Sequence, residues 1–417
     1  MNSMNSPVHK RQISQYVFEE EMTANKMIFI AGPRQVGKTT WIKKAVDDYR
    51  YFNWDSPAVR RRYRNDPLFF MNAEPGSKAK YIIFDEIHKR AKWKDILKGC
   101  YDSTEGVQYI VTGSARLDTF RKSGDSLVGR YFLFHLMPFS MSDLLSRKIQ
   151  DLWLATAESW KNPVRHLFEM LDSNATAEER AAYDGLFKFG GFPEPLFRGS
   201  ERFLRRWQEE YLALLYTEDL RDLTNIRAID TVEHLVSILP EKIAAPLSIN
   251  VLAAEIETSF QSTKNYLKHL EKLWLVHPVM PWSKKISRSL KKEAKYYFLN
   301  WCYVPERNTG ARFENFVASN LLRAKLVLND LAYGRVGLFY VRTLDKLEVD
   351  FLLTFDNQPG LFIECKNGDA NISRSSLNMA RRLGVPLVQL VNKTGIFRKV
   401  DKDCLVVSAD RFLKVLP

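Results

Sequence analysis

Three groups of residues in this chain have the types and spacing to do chemistry. The first is Gly32-Pro33-Arg34-Gln35-Val36-Gly37-Lys38-Thr39, followed by Thr40, which fits G-x-x-x-x-G-K-[ST] without a gap. Glycines let such a loop bring backbone N–H groups close to an anion, and the helix that follows adds roughly half a positive charge at its N-terminus. Lys38 is placed to reach the β- and γ-phosphates of a nucleotide, and the Thr39 hydroxyl to sit on Mg2+. The second group is Asp85-Glu86, closing the apolar run Tyr81-Ile82-Ile83-Phe84. Asp85 suits the ordering of Mg2+, directly or through water. Glu86 suits a general base that polarises the attacking water. The third group is Asp350, Glu364 and Lys366, with Glu314 upstream. Glu364 and Lys366 are two apart and so share one face of a strand. Two carboxylates near a lysine can bind Mg2+, activate water and offset charge on a phosphate.

Two further positions stand near the first pair. Val107–Ser114 reads as a buried strand ending in hydroxyls. Thr112 or Ser114 would contact the γ-phosphate or the lytic water, Ser114 being the better placed, or would cap the helix beginning at Ala115. Arg130 would approach phosphate in cis or from a neighbouring subunit, or would form a structural salt bridge.

The elements that must hold these residues follow from pattern. Met27–Ala31, Tyr51–Trp54, Tyr81–Glu86, Val107–Ser114 and Tyr131–Phe134 read as strands alternating with helices, hence a parallel α/β core. Residues about 8–25 read as an amphipathic helix, Arg60–Arg64 as a solvated basic helix face, and Glu201–Arg227 as a long helix. Helices at 234–239, 248–257 and 263–273, with a short hairpin from 274–276 and 279–280, suggest a winged helix-turn-helix. Its second helix would present Gln261, Ser262, Lys264, Asn265, Lys268 and His269, which suit phosphates and base edges; the same module also serves to pack other domains. The run Lys284, Lys285, Arg288, Lys291, Lys292, Lys295 reads as a wing or linker against a phosphate backbone, or as a solvated loop. Tyr296–Leu299, Leu338–Arg342, Glu348–Leu353 and Leu361–Lys366 read as strands, with a helix from Arg312 to about Lys325.

With 417 residues, 45% of them hydrophobic, the chain can build two to four domains with ordinary cores. No apolar run reaches about 18 residues, so no membrane span is expected. Met1–Pro7 carries no signal-peptide pattern. The four cysteines form no CxxC pair, which argues against a disulfide framework or zinc site and for a cytoplasmic location. The net charge of +13 favours a polyanionic partner.

Taken together, GPRQVGKTT, YIIFDE, VTGSARL and LVGR followed by Pro138-Phe139-Ser140 resemble a prokaryotic AAA-type P-loop ATPase family. Gly190-Gly191-Phe192-Pro193-Glu194-Pro195 matches that family's next signature, and the resemblance covers nearly the whole chain. It implies a helical lid behind the core and a C-terminal half of unknown function. The Asp350…Glu364-x-Lys366 pattern resembles a restriction-endonuclease-like fold, in which Glu314 would be an accessory acid. Asn300 stands where the family usually has an aspartate.

The expected fold class is α/β: an ATPase core at 1–145, a helical lid or linker at 146–230, a winged helix-turn-helix at 231–284 and a restriction-endonuclease-like domain at 285–417. The expected ligands are ATP and Mg2+, the expected partner DNA, with a homo-oligomer open. The leading function is an Mg-dependent ATPase coupled to DNA binding. The alternatives are an ATP-dependent metal nuclease and an ATP-gated interaction protein with an inactive nuclease-like domain.

Overall fold

The computed structural model describes residues 11–18, 23–66, 69–70, 79–90, 92–103, 106–113, 127–171, 174–220, 229–283, 293–343, 347–368 and 371–417. These fall into two compact units, Lys10–Pro138 and Phe139–Pro417. Among the described residues no helix is long and apolar enough to cross a membrane.

The first unit is built on a five-stranded parallel sheet of β1 (Met27–Ala31), β2 (Tyr49–Asn53), β3 (Tyr81–Asp85), β4 (Gln108–Gly113) and β5 (Tyr131–His135). The strand order is β2-β3-β4-β1-β5. Every residue of β1 and β3 is buried, as expected where helices cover both faces of a parallel sheet. Phe29, Phe84 and Val111 pack with Trp93, Leu97 and Cys100 of the helix Trp93–Ser103. Each such side chain contributes about 2 kcal/mol by leaving water. The helix Pro57–Asn65 buries none of its residues, in keeping with its run of arginines. Of the expected helix at 8–25, Ser14–Phe18 is helical, and residues 1–10 and 19–22 lie outside the described residues.

The second unit centres on an eight-stranded mixed sheet in the order β12-β13-β11-β10-β9-β8-β6-β7. Its strands are β6 (Val276–Pro281), β7 (Lys295–Phe298), β8 (Val336–Arg342), β9 (Glu348–Phe355), β10 (Gln358–Lys366), β11 (Leu387–Val391), β12 (Phe397–Asp401) and β13 (Cys404–Ser408). The helix Thr309–Asp330 packs against β7, β8 and β10. The overall class is therefore α/β, with a parallel core and a second, mixed sheet.

The hairpin expected at 274–280 is instead one strand, β6, whose antiparallel partner is β7. Pro278 explains the misreading, since proline resembles a turn in sequence. Here it lies in the part of β6 that pairs only with β7, where a missing N–H costs no second ladder bond. Beyond Val279, β6 pairs in parallel with β8, so the β6–β7 ribbon is continuous with the C-terminal sheet. The helix expected at 201–227 begins at Glu201 and runs to Leu214, then widens into one π-turn at Leu215–Asp219; residues 221–228 lie outside the described residues. The 141–214 region packs with the sheet unit: Arg323 pairs with Asp143 at 3.0 Å, Lys414 with Glu179 at 3.1 Å, and Trp153 meets Phe355 edge-on and Phe412 at a tilt.

Candidate functional site

The loop after β1 closes with the backbone geometry its glycines were chosen for. Gly32 has φ +155°, and a Cβ there would sit 2.2 Å from the Leu136 carbonyl oxygen, so only glycine fits. Gly37 takes φ 91° immediately before the helix Lys38–Ala45. Arg34, Gln35 and Val36 form the turn between them, Gln35 at φ 58°. Buried Arg11 ties the turn down, donating to the Val36 carbonyl at 2.9 Å and the Met137 carbonyl at 3.1 Å. Lys38 folds back over the loop and donates to the Gly32 and Pro33 carbonyls at 3.0 and 2.8 Å. Thr39 and Thr40 stand in the first turn of the helix.

Three neutral hydroxyls converge on Asp85. Thr39 donates to Oδ2 at 2.8 Å, Tyr51 donates to Oδ2 at 2.6 Å, and Thr112 donates to Oδ1. Register explains the meeting: Asp85 lies opposite Asn53 on β2 and opposite Thr112 on β4. Tyr51, two residues before Asn53, points to the same face of β2. Strand β4 thus stands between the loop strand and the acidic strand, and its hydroxyl bridges them. The burial of Tyr51 and its bond to Asp85 hold its phenol well above the ordinary range. Lys43 lies over the same ring, 3.4 Å from its centroid.

Glu86 follows in a left-handed turn at φ 57°, its N–H donating to the Thr112 carbonyl at 3.1 Å. Burial raises its pKa above 4.5, with Lys38 and Lys89 pulling the other way. His88 Nε2 approaches Glu86 at 3.6 Å. A half-buried carboxylate beside a phosphate-binding loop, its pKa raised, is a better proton acceptor than a free glutamate.

The structure does not bring Arg130 to this site. Its carbonyl accepts from the N–H of Met27, the first residue of β1, and β1 and β5 run parallel. Arg130 therefore lies at the amino ends of the strands, opposite the loop, and forks onto Asp102 at 2.9 and 3.1 Å. The approach to phosphate in cis is thereby corrected to a salt bridge. Ser114 lies outside the described residues; Thr112 is the β4 hydroxyl that meets Asp85. Tyr51 and His88 went unassigned in the sequence. An aromatic one turn of the pleat before Asn53-Trp54-Asp55 carries no signal of its own without the strand register.

The C-terminal group gathers as well. Beyond Phe351 the β9–β10 ladder ends, and Asp350 Oδ2 accepts from the Cys365 N–H at 2.8 Å. Lys366 pairs with Glu364 at 2.7 Å. Glu314 accepts from the Tyr297 hydroxyl at 2.6 Å. Burial raises the pKa of Glu314, Asp350 and Glu364. Lys295, which by sequence reads with the basic run at 284–295 as solvated or phosphate-facing, is corrected to a core position, because its side chain is completely buried among Glu314, Glu348 and Asp350. Residues 284–292 lie outside the described residues. Asn300 takes no part in the cluster: its Oδ1 accepts from the Cys302 N–H at 3.2 Å and lies where a Cβ on Gly190 would come within 2.6 Å. The Gly190-Gly191 corner thus packs on Asn300.

In the helix Phe260–Lys272, Gln261, Asn265, Lys268 and Lys272 are exposed on one stripe, while Thr263, Leu267 and Leu270 are buried on the other. Ser262 and Lys264 are half-buried, as is His269, whose pKa is lowered by burial and by Lys272.

Comparison with known proteins agrees with the first unit. Residues 24–145 match a family profile described as "AAA domain". Residues 180–301 and 309–408 match two profiles described as "Domain of unknown function", DUF8612 and DUF4143. An uncharacterized protein of Methanocaldococcus jannaschii is 26% identical over 359 residues, spanning 82% of this chain and 75% of the relative. An uncharacterized protein of Mycobacterium tuberculosis is 22% identical over 366 residues, spanning 84% and 72%. Among solved structures, the Orc1 protein of Aeropyrum pernix in complex with DNA aligns with a TM-score of 0.31 and 13% identity, over 70% of this chain and 88% of that one. Loop, acidic strand and profile agree that residues 24–145 form a P-loop AAA domain.

Proposed function

We propose that this chain is an Mg2+-dependent ATPase whose nucleotide cycle is linked to DNA binding by its C-terminal half. The observation that carries the ATPase reading is the convergence of the Thr39, Tyr51 and Thr112 hydroxyls on Asp85, beside a loop whose lysine lies over its own carbonyls. An anionic carboxylate ringed by neutral donors fits a hydrated divalent cation. Thr39 and Asp85 would hold Mg2+, which when bound offsets charge on the phosphates. The loop N–H groups of residues 34–40 bind phosphate oxygens, and Lys38 exchanges its carbonyl partners for them. Glu86 takes the proton of the attacking water, and Thr112 keeps the Asp85 carboxylate oriented. Arg130 stays with Asp102 at the amino ends of the strands.

The DNA reading is supported by the exposed stripe Gln261, Asn265, Lys268 and Lys272 and by the net charge of +13. Asparagine and glutamine suit base edges and lysines suit phosphates. Fluorescence anisotropy with duplex DNA over a salt series tests it. Binding should weaken steeply with salt, and Lys268→Ala/Lys272→Ala should flatten that slope. Salt-insensitive binding, or a slope unchanged in the double variant, would instead favour an ATP-gated protein-interaction module.

A further inference from the structure

Four carboxylates and two lysines from β7, β9, β10 and the helix Thr309–Asp330 meet in one cluster. Lys295, the first residue of β7, is fully buried, and its Nζ lies 2.7 Å from Glu348, 3.0 Å from Glu314 and 3.6 Å from Asp350. Each of those acids has a second partner. Tyr297 donates to Glu314 at 2.6 Å, the Cys365 N–H donates to Asp350 at 2.8 Å, and Arg342 approaches Glu348 at 3.8 Å. The remaining pair, Lys366 and Glu364, is 2.7 Å apart.

This donor set does not fit a divalent ion as it stands. Mg2+ draws its oxygens to about 2.1 Å, whereas two of the three carboxylates around Lys295 sit at ammonium distances. Burying an ammonium costs several kcal/mol unless it is fully paired, and here it is paired three times. The three acids hold its proton more tightly than a free lysine does, in spite of burial.

We propose that Lys295 is the resident cation of this cluster, standing where a restriction-endonuclease-like centre would hold its metal. The wild-type chain then binds no divalent ion through Asp350, and Asp350, Glu364 and Lys366 do not cut phosphodiesters. The cluster is nonetheless one charge away from a metal site. With Lys295 neutral, Glu314 and Asp350 lose their cation. Glu364, buried and paired with Lys366, is a further carboxylate beside them.

The test is a titration of the full-length, nucleotide-free protein with Mn2+ alone, free ion being read by electron paramagnetic resonance. Wild type and Asp350→Asn should give the same curve. Lys295→Met should gain one equivalent of bound Mn2+, and Lys295→Met/Asp350→Asn should lose it again. An equivalent bound by wild type and removed by Asp350→Asn would overturn the proposal, as would a folded Lys295→Met that gains none. Should Lys295→Met fail to fold, the comparison of wild type with Asp350→Asn decides by itself. Mg2+- or Mn2+-dependent cleavage of DNA that Asp350→Asn abolishes would contradict the proposal equally.

Discussion

The Thr39 hydroxyl donates to Asp85 Oδ2 over 2.8 Å, joining the phosphate-binding loop to the acidic strand across the intervening β4. A hydrogen bond to a charged group is worth about 1.5–3 kcal/mol. Thr39→Val should therefore weaken Mg2+-dependent nucleotide binding by roughly 10-fold or more. Nucleotide binding without Mg2+ should change little. Titration calorimetry with and without the metal separates the two.

Tyr51 touches the same oxygen from β2, at 2.6 Å. As a positioning residue it should affect the metal more than the nucleotide. Tyr51→Phe keeps the ring under Lys43 and removes only the hydroxyl. The Mg2+ concentration for half-maximal turnover should rise by about fivefold, corresponding to about 1 kcal/mol, with the KM for ATP nearly unchanged.

As the proposed base, Glu86 should set the acid side of the pH profile. Burial holds its carboxyl above the ordinary value of 4.5, and a base works only when ionised. Turnover should therefore fall as pH drops through a point above 4.5, while ATP binding persists. Lys89 lowers that point, so Lys89→Ala should move the acid limb to higher pH. Glu86→Gln should bind ATP and slow turnover by roughly 10²- to 10⁴-fold.

His277 makes the second unit sensitive to acid. It is buried against Tyr297, with ring centroids 5.7 Å apart, and neither ring nitrogen has a hydrogen-bond partner among the described residues. Burial, with a smaller push from Lys325, lowers its pKa to about 3. The unfolded chain takes up a proton near 6.5 and the folded one does not, so stability is lost as pH falls from 6.5 toward 3. At pH 4 this costs about 3 kcal/mol. His277→Leu should remove that part of the pH dependence, measured by urea unfolding at pH 7 and pH 4.

The first unit was legible because its chemistry is contiguous. Gly32–Thr39 and Tyr81–Glu86 each announce strand, turn and function within eight residues. What joins them was not: Tyr51 and Thr112 reach Asp85 only through the register of β2 and β4. The second unit was harder to read for the same reason. Lys295 belongs by sequence to a run of basic residues, yet it begins a wholly buried strand, and alternation places it with Tyr297 on one face. A lysine directly before Tyr-Tyr-Phe-Leu was the available signal. The segment 367–417 gave no motif, although it supplies three strands of the mixed sheet and the buried helix Ala409–Leu413.

The most direct measurement is phosphate release by the purified chain with Mg2+ and ATP, in the presence and absence of duplex DNA, beside Lys38→Ala. Steady turnover by the wild type, abolished in Lys38→Ala and raised by DNA, is the result expected of a DNA-linked ATPase. No turnover by folded wild type under either condition, or equal turnover in Lys38→Ala, would contradict it.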